Sequence, residues 1–536
     1  MKTKSHNVWI KHAAQLIIVY AIMSVLYGLG GCVSPPKLTA EDRRSDIEFL
    51  AHWARDYSPL VELNEKHKGT PSYEALLPEY LEFAEQVENN EEYLHVVSGY
   101  FKVIGASGHA YQLPNDYLKW ASVGSLLGVV KFGITPWQFQ QARYWAKLAD
   151  NLSILAHPPF RVISREGRYF TDDDWQYNGT TLPKGSEILK VNGMTCSHYL
   201  DWLKTNTLLK YEPYKDRVES YLMIVEEGPH FHGWQINFCL PDGSTLQAFA
   251  PKVKGWPAPK EQKVHTIEPN ANCTCLELTE DVGYIRIRSF MGHPTDILLK
   301  RNIKKERKVI RAFLDQSHYK YSKLIIDVRN NGGGDPAYFY DNLIRPFLDL
   351  PVTYRSTVGL KRRFLEDTKP SVLHQLRKVG VLDYEKDIKE VIPHEDFDDK
   401  EWIFYEITRR LEPSKRFPFK GDMYVLINGG CYSACDDYAQ TVKRIGIATL
   451  VGQTTGGYGG ISYCMTPFVR LPQSGMIFAL DVHLPLNPDG SFTAFQGLEA
   501  DIELSDANPP KSITKEDLLK DEWIKWILAD ARDRMD

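Results

Sequence analysis

Three short apolar runs constrain this chain more than anything else in it. Leu324-Ile325-Ile326-Asp327-Val328, Tyr424-Val425-Leu426-Ile427-Asn428 and Ala448-Thr449-Leu450-Val451 are each long enough for one strand. Each is apolar on both faces, as strands of a parallel sheet covered by helices must be. Gly283-Tyr284-Ile285-Arg286-Ile287 reads as a fourth strand. Between it and the first run, Thr295 to Phe313 carries a helical stripe of Leu299, Ile303, Val309, Ile310 and Phe313. Strands alternating with helices predict an α/β layer over about residues 266–510.

Other segments read differently. Residues 40–105 carry helical stripes, with Ile47, Leu50, Ala51, Trp53 and Ala54 behind the acidic start Glu41-Asp42, and Tyr80, Leu81, Phe83 and Ala84 further on. Residues 115–150 are rich in aromatic and small residues and are expected to be helical. From about 155 the period becomes that of strands: Phe160 to Ser164 and Arg168 to Phe170 flank the turn Glu166-Gly167, and Gln235 to Ala248 alternates around Pro241-Asp242-Gly243. Gly185 to Gly193 gives a strand with Ile188 and Val191 and an Asn-Gly turn, followed by a helix such as His198 to Lys204. The densely charged stretch 360–418 breaks the rhythm and reads as an insertion that could cover a site, and 511–536 as a C-terminal helix.

The first residues read as a targeting segment. Lys2, Lys4 and Lys11 precede a largely apolar run from Ala13 to Leu29, then Leu29-Gly30-Gly31-Cys32. This resembles a bacterial lipobox, which implies removal of residues 1–31, lipidation of Cys32, and an envelope location on the outer membrane or periplasmic face. An uncleaved anchor is the competing reading, since ~17 apolar residues just suffice to span a bilayer. Removing the three lysines takes the basic count from 64 to 61 against 69 acidic residues, about −8, which argues against a nucleic-acid partner. Cys32 apart, seven of the eight cysteines remain, an odd number that argues against a complete disulfide framework. Cys431, Cys435 and Cys464 read as small buried hydrophobes, and His230-Phe231-His232 lacks a third ligand, so no metal or other cofactor is expected.

Four segments resemble one family, in its order. Leu324 to Gly334 is similar to the strand and glycine turn of the C-terminal processing (tail-specific) and tricorn-core serine peptidases. Asn428-Gly429-Gly430-Cys431-Tyr432-Ser433-Ala434-Cys435-Asp436 resembles their nucleophile segment, Val451 to Gly457 their Gly-x-x-Thr-x-Gly turn, and Gly497 to Ile502 their Gly-x-x-Pro-Asp segment with alanine for proline. The resemblance implies a ClpP/crotonase-like α/β catalytic core, an N-terminal helical region over 32–115, and a PDZ-like domain within 116–265 whose second half is Gly185 to Lys204. A plain hairpin and helix is the competing reading of that stretch.

The resemblance implies a serine endopeptidase with Ser433 as nucleophile and exported proteins or peptides as substrates. Ser433 follows an apolar strand and a Gly-Gly pair and leads into helical spacing, a corner that exposes a hydroxyl and turns backbone amides outward. Ala434 would give one oxyanion donor; by resemblance Gly333 gives the second, with Gly332 nearly as good. The tail-specific branch carries its lysine base where this chain has Tyr458. The tricorn branch uses a histidine before the PDZ-like domain, and Gly105 to Tyr111 resembles that segment, which makes His109 the base. No carboxylate stands in Thr493 to Gln496, where that branch keeps its acid; Glu499 is available as an orienting acid without being assigned. These departures keep a second function open, a catalytically weak relative that binds a peptide or lipophile. Oligomeric state is not legible.

Overall fold

A computed structural model describes residues 35–68, 72–104, 111–112, most of 154–199, 225–227, most of 232–254, 271–291, most of 301–367, 388–391, 400–460, 468–504 except 495, and 513–530, with a few helical residues between 142 and 148. The expected signal segment, Cys32, His109 and most of 115–150 lie outside the described residues. Among the described residues no helix is long and apolar enough to cross a membrane.

Four helices lead the described chain: α1 (Ala40–Tyr57), α2 (Pro59–Lys68), α3 (Tyr73–Gln86) and α4 (Asn90–Ile104). A reciprocal capping box between Thr39 and Asp42 starts α1, and Ile47, Leu50, Ala51 and Ala54 form its buried stripe. A short strand, β1 (Tyr111–Gln112), follows.

The next unit is an antiparallel sheet of β2 (Val162–Arg165), β3 (Arg168–Thr171), β4 (Glu187–Val191), β5 (Gly233–Cys239) and β6 (Thr245–Pro251), in the spatial order β6-β5-β4-β3-β2. Asn192 and Gly193 both take positive φ, 49° and 82°, in the tight turn after β4, as an Asn-Gly pair does readily. The hairpin read around Asp242-Gly243 joins β5 to β6. This sheet has its own core, built on Phe160, Trp234, Ile236 and Phe238.

The α/β layer comprises β7 (Cys273–Thr279), β8 (Val282–Ile287), α5 (Arg301–Ser317), β9 (Lys323–Asp327), β10 (Val352–Lys361), β11 (Trp402–Leu411), β12 (Asp422–Ile427), α6 (Ala434–Ile445), β13 (Thr449–Gly452), β14 (Phe468–Arg470), β15 (Ile477–Ala479), β16 (Leu484–Pro485), β17 (Ile502–Glu503) and α7 (Glu522–Ala529). Its main sheet runs β7-β8-β9-β12-β13-β17, parallel except for the β7-β8 pair. Both faces are covered, as the apolar runs require. Leu324, Ile326, Val425 and Ile427 share a core with Ile310 of α5 and Ala439 of α6. Ile325, Tyr424, Leu426 and Val451 point the other way and pack under Trp523, Ile524 and Ile527 of α7.

The stretch 360–418 differs from its reading as an insertion at both ends. β10 and β11 pair over ten residues each, Val352 opposite Leu411 through Lys361 opposite Trp402. Both strands bury alternate or successive apolar residues, so the charge density of the stretch masked a strand pair. β16 joins this sheet through β10. A separate small sheet runs β1-β15-β14. The N-terminal helices share a core with Leu471, Met476, Phe478 and Leu480 around it, and buried Asp46 accepts from the amides of Gln473 and Ser474 at 2.8 Å each.

Candidate active site

Three turns meet at the carboxyl ends of adjacent parallel strands β9, β12 and β13, the position where open α/β sheets hold their ligands. They are the glycine turn 330–334, the turn 428–433 and the turn 453–460. The Asn330 amide donates to Asn428 Oδ1 and Asn428 Nδ2 donates back to Asn330 Oδ1, both at 2.8 Å. The Tyr432 amide donates to the Asn331 carbonyl at 3.1 Å, and the Ser433 amide to the Gly457 carbonyl at 3.0 Å.

Ser433 has φ 56° and ψ −122° and is half-buried. A non-glycine residue in that region stores about 1–3 kcal/mol of strain, which the surrounding bonds must hold. It stands at the N-cap of α6, so the Ala434 N–H belongs to the first turn, whose amides have no acceptor within the helix. At the other end Gly446, at φ 65°, closes α6 with a bond to the Val442 carbonyl.

The glycine turn presses directly on this corner. A Cβ added at Gly333 would lie 2.6 Å from the Tyr432 carbonyl oxygen, 2.7 Å from the Ala434 nitrogen and 3.0 Å from Ser433 Cβ, and Gly333 has φ +96°. A Cβ at Gly332 would meet nothing within 4 Å. Only glycine fits the first position. The structure therefore brings Ser433, Ala434 and Gly333 together. The Gly333 amide, however, donates to Asn331 Oδ1 at 2.9 Å, and its carbonyl accepts from the Phe290 amide at 2.9 Å. Gly333 stands beside the Ala434 amide with its own N–H committed to its own loop.

Behind the corner lie two buried carboxylates. Asp436 accepts from the Thr455 hydroxyl, from the Gly459 amide at 2.8 Å and from Gln440 Nε2 at 2.7 Å. Thr455 Oγ1 in turn accepts from the Leu498 amide at 2.7 Å. Asp436 thus fastens the third turn to α6. Burial raises its pKa against the pull of those hydrogen bonds. Burial likewise pushes Asp437 up to about 6, opposed by Arg409, whose Nη1 is 4.0 Å away.

A third buried network fixes the glycine turn to the C-terminal helix. Asp327, Arg286 and Arg329 form ion pairs, and Arg329 reaches Asp521 at 2.8 Å. Asp521 caps α7 through the Trp523 and Ile524 amides. Burial alone would raise the Asp327 carboxyl, but Arg286, Arg329 and the Arg329 and Tyr284 hydrogen bonds outweigh it and hold the group well below the usual carboxylate range.

Tyr458, at the lysine position of the tail-specific branch, is buried, has φ 62° and sets its ring 5.2 Å from that of Tyr432. Lys443 bonds the Glu499 carbonyl at 2.9 Å and pairs with Asp501 at 3.2 Å, near the last turn of α6. Glu499 is exposed and tied by its backbone to that end of the helix, about 15 Å along it from Ser433 at 1.5 Å per residue. Its described contacts thus join it to Lys443 rather than to Ser433, a correction to its candidacy as orienting acid. Cys431 and Cys435 are fully buried, both with Sγ towards the Val328 carbonyl. Among the described residues no group of three or more His, Cys, Asp and Glu is placed to hold a metal ion.

A strained serine between a parallel strand and a helix, with a glycine turn against its following amide, is the geometry of a nucleophile corner. Residues 281–504 match the model of Peptidase family S41. The fold is shared by mature CPAF bound to lactacystin, with TM-score 0.55, 15% identity, and coverage of 92% of this chain and 97% of that one. Mature CPAF alone gives TM-score 0.54 and 16% identity over 87% of this chain and 93% of that one. A Chlamydia pneumoniae protein, CPj1016/CpB1054, is 24% identical over 252 residues, 42% of this chain and 40% of the relative's own length. The α/β layer over residues 281–504 is thus similar to peptidase family S41, a family of serine peptidases.

Proposed function

We propose that this chain is a lipid-anchored serine endopeptidase that cuts exported proteins or peptides through an acyl-enzyme on Ser433, with His109 as base. The observation that supports it best is the strained φ of Ser433 beside the Ala434 amide. Ser433 Oγ attacks the scissile carbonyl carbon while its proton passes to the neutral imidazole. The carbonyl oxygen, now negative, takes the Ala434 N–H. Collapse breaks the C–N bond, and the imidazolium returns the proton to the leaving amine. Water, deprotonated by the same imidazole, then hydrolyses the ester and frees Ser433. His109 follows from the sequence resemblance together with Tyr458, which cannot replace a lysine base. The antiparallel sheet that holds β2–β6 would present substrate ends by strand addition, in the PDZ-like manner. Cys32 would carry the lipid that holds the enzyme at the envelope.

One observation favours the weaker-catalysis alternative: the Gly333 N–H is donated to Asn331. The test is cleavage of an unfolded protein by the purified enzyme. The wild type should cut it, and Ser433→Ala and His109→Ala should each lose on the order of 10³-fold or more. No cleavage by any form, with all folded, would support the binding alternative. For the anchor, Cys32→Ala should leave the precursor uncleaved or shed protein from membranes; unchanged maturation and partitioning would remove that part of the proposal.

A further inference from the structure

We propose that Arg409 is a positioning residue for Ser433: from β11 it reaches Asp437 and so fastens the first turn of α6 to the β10–β11 strand pair. The role rests on Ser433 as the nucleophile, proposed above, and not on the identity of its base. Asp437 stands one helical turn after Ser433, and its amide donates to the Ser433 carbonyl at 3.0 Å. Whatever holds Asp437 therefore holds the strained corner. Asp437, Thr441 and Arg444 follow one another at helical spacing and form a single stripe of α6. The apolar stripe of the same helix, with Cys435, Tyr438, Ala439 and Val442, packs into the core shared with the main sheet. The polar stripe meets the strand pair instead. The Tyr354 hydroxyl of β10 shares a hydrogen bond with Thr441 Oγ1 at 3.5 Å. Arg444 donates to the Arg355 carbonyl at 2.7 Å and to the Leu486 carbonyl at 3.0 Å.

Arg409 lies at the head of that stripe. It and Asp437 are each 6% exposed. Its Nη1 donates to the Tyr340 hydroxyl and, at 3.4 Å, to that of Tyr354, and these two hydroxyls share a bond at 2.8 Å. The same Nη1 stands 4.0 Å from Asp437 Oδ2, beyond hydrogen-bond length. Arg409 Nε is buried with no hydrogen-bond partner among the described residues. A buried carboxylate and guanidinium cost desolvation that their attraction only about offsets, whereas one left without the other is strongly unfavourable. Such a pair adds little stability but constrains geometry firmly. The charged groups that face Asp437 are Arg409 from β11 and Asp436 and Arg444 from α6, with the Tyr340 and Tyr354 hydroxyls completing the cluster. Burial pushes Asp437 up to about 6; Arg409 opposes the rise, Asp436 adds to it and Arg444 opposes it. The clamp is therefore engaged above that value and slackens as the carboxyl takes up a proton. Sequence reading passed over Arg409 because it lies in the charged stretch 360–418, read as an insertion.

The test needs a readout that mere packing would not move. The full chain is labelled with a fluorophosphonate, and the second-order rate is followed from pH 5 to 9. Arg409→Gln should slow labelling at pH 8 by about 10- to 100-fold, the scale of a displacement near 1 Å at a reacting group. Its acid limb should move to higher pH by about one unit or more, because the Asp437 carboxyl loses the cation that favours its charged form. Arg409→Lys keeps a cation there and should hold the limb near its wild-type position. Adding Asp437→Asn to Arg409→Gln removes the uncompensated carboxylate, so the double variant should bring the limb back to its wild-type position or below. Loss of a side chain that only packs would lower the rate without moving the limb. An unmoved limb in folded Arg409→Gln would thus overturn the role of Arg409 and leave the nucleophile standing. A folded wild type that takes up no label, or one labelled equally in Ser433→Ala, would remove the nucleophile and Arg409 with it. Should Arg409→Gln fail to fold, Asp437→Asn decides in its place: about tenfold slower labelling at pH 8 supports the clamp, and the wild-type rate there overturns it.

Discussion

Replacing Gly333 by alanine tests whether the glycine turn and the serine corner form one rigid assembly. The added methyl would sit 2.6 Å from the Tyr432 carbonyl oxygen and 2.7 Å from the Ala434 nitrogen. Ordinary contact begins near 3.4 Å, so the two turns must separate by about 0.8 Å or the methyl must tilt. Tilting is resisted on two sides. The Gly333 amide is held by Asn331 and its carbonyl by Phe290. The residue also keeps φ +96°, which costs a non-glycine about 1–3 kcal/mol by itself. A displacement near 1 Å at a reacting group costs about 10²-fold in rate. Gly333→Ala should therefore slow fluorophosphonate labelling of Ser433 by about 10- to 100-fold and lower stability by about 2–4 kcal/mol. Gly332→Ala, one residue earlier with nothing within 4 Å of the new methyl, should stay within a few-fold of wild type. Labelling rates and thermal melts of the pair decide it. Wild-type reactivity and melting in Gly333→Ala, or equal loss in both variants, would refute the reasoning.

Asp436→Asn puts an amide where three donors converge from Thr455, Gly459 and Gln440, so it should cost about 2–4 kcal/mol and slow labelling by loosening the turn that holds the Ser433 amide; denaturant melts and labelling rates check both. Asp327 is depressed in the fold, so its contribution is present above the ordinary carboxylate value of ~3.9 and is lost as pH falls through the lower folded value; Asp327→Asn should destabilise by about 3 kcal/mol or more at neutral pH and flatten the acid arm of the stability curve, as chemical melts from pH 3 to 7 will show. Lys443→Ala and Tyr458→Phe should each leave the labelling rate within a few-fold, since Lys443 pairs with Asp501 at the far end of α6 and the Tyr458 ring packs on Tyr432; a hundredfold loss in either would reopen the search for the base.

The parts of the site that the sequence discloses are those written in backbone conformation. Ser433 and Ala434 were readable from the strand–turn–helix corner and Gly333 from the family resemblance, with Gly332 nearly as good, and the structure sets Ser433, Ala434 and Gly333 together. The strands β8, β9, β12 and β13 were readable because both their faces are apolar. What escaped depends on pairings between distant segments. The role of Asp436 escaped because its partners Thr455 and Gly459 are about twenty residues away. Arg329 and Asp521 are 192 residues apart. The strands β10 and β11 were obscured by charge on their exposed faces and in the stretch between them.

The central claim is that Ser433 is an activated nucleophile. It is tested most directly by treating the folded chain with a fluorophosphonate, weighing the intact protein and mapping the modified peptide. The account predicts a single adduct on the peptide carrying Ser433, absent from Ser433→Ala and at least about 10³-fold slower in His109→Ala. A folded wild-type protein that takes up no label, or one whose label persists unchanged in Ser433→Ala, would contradict it.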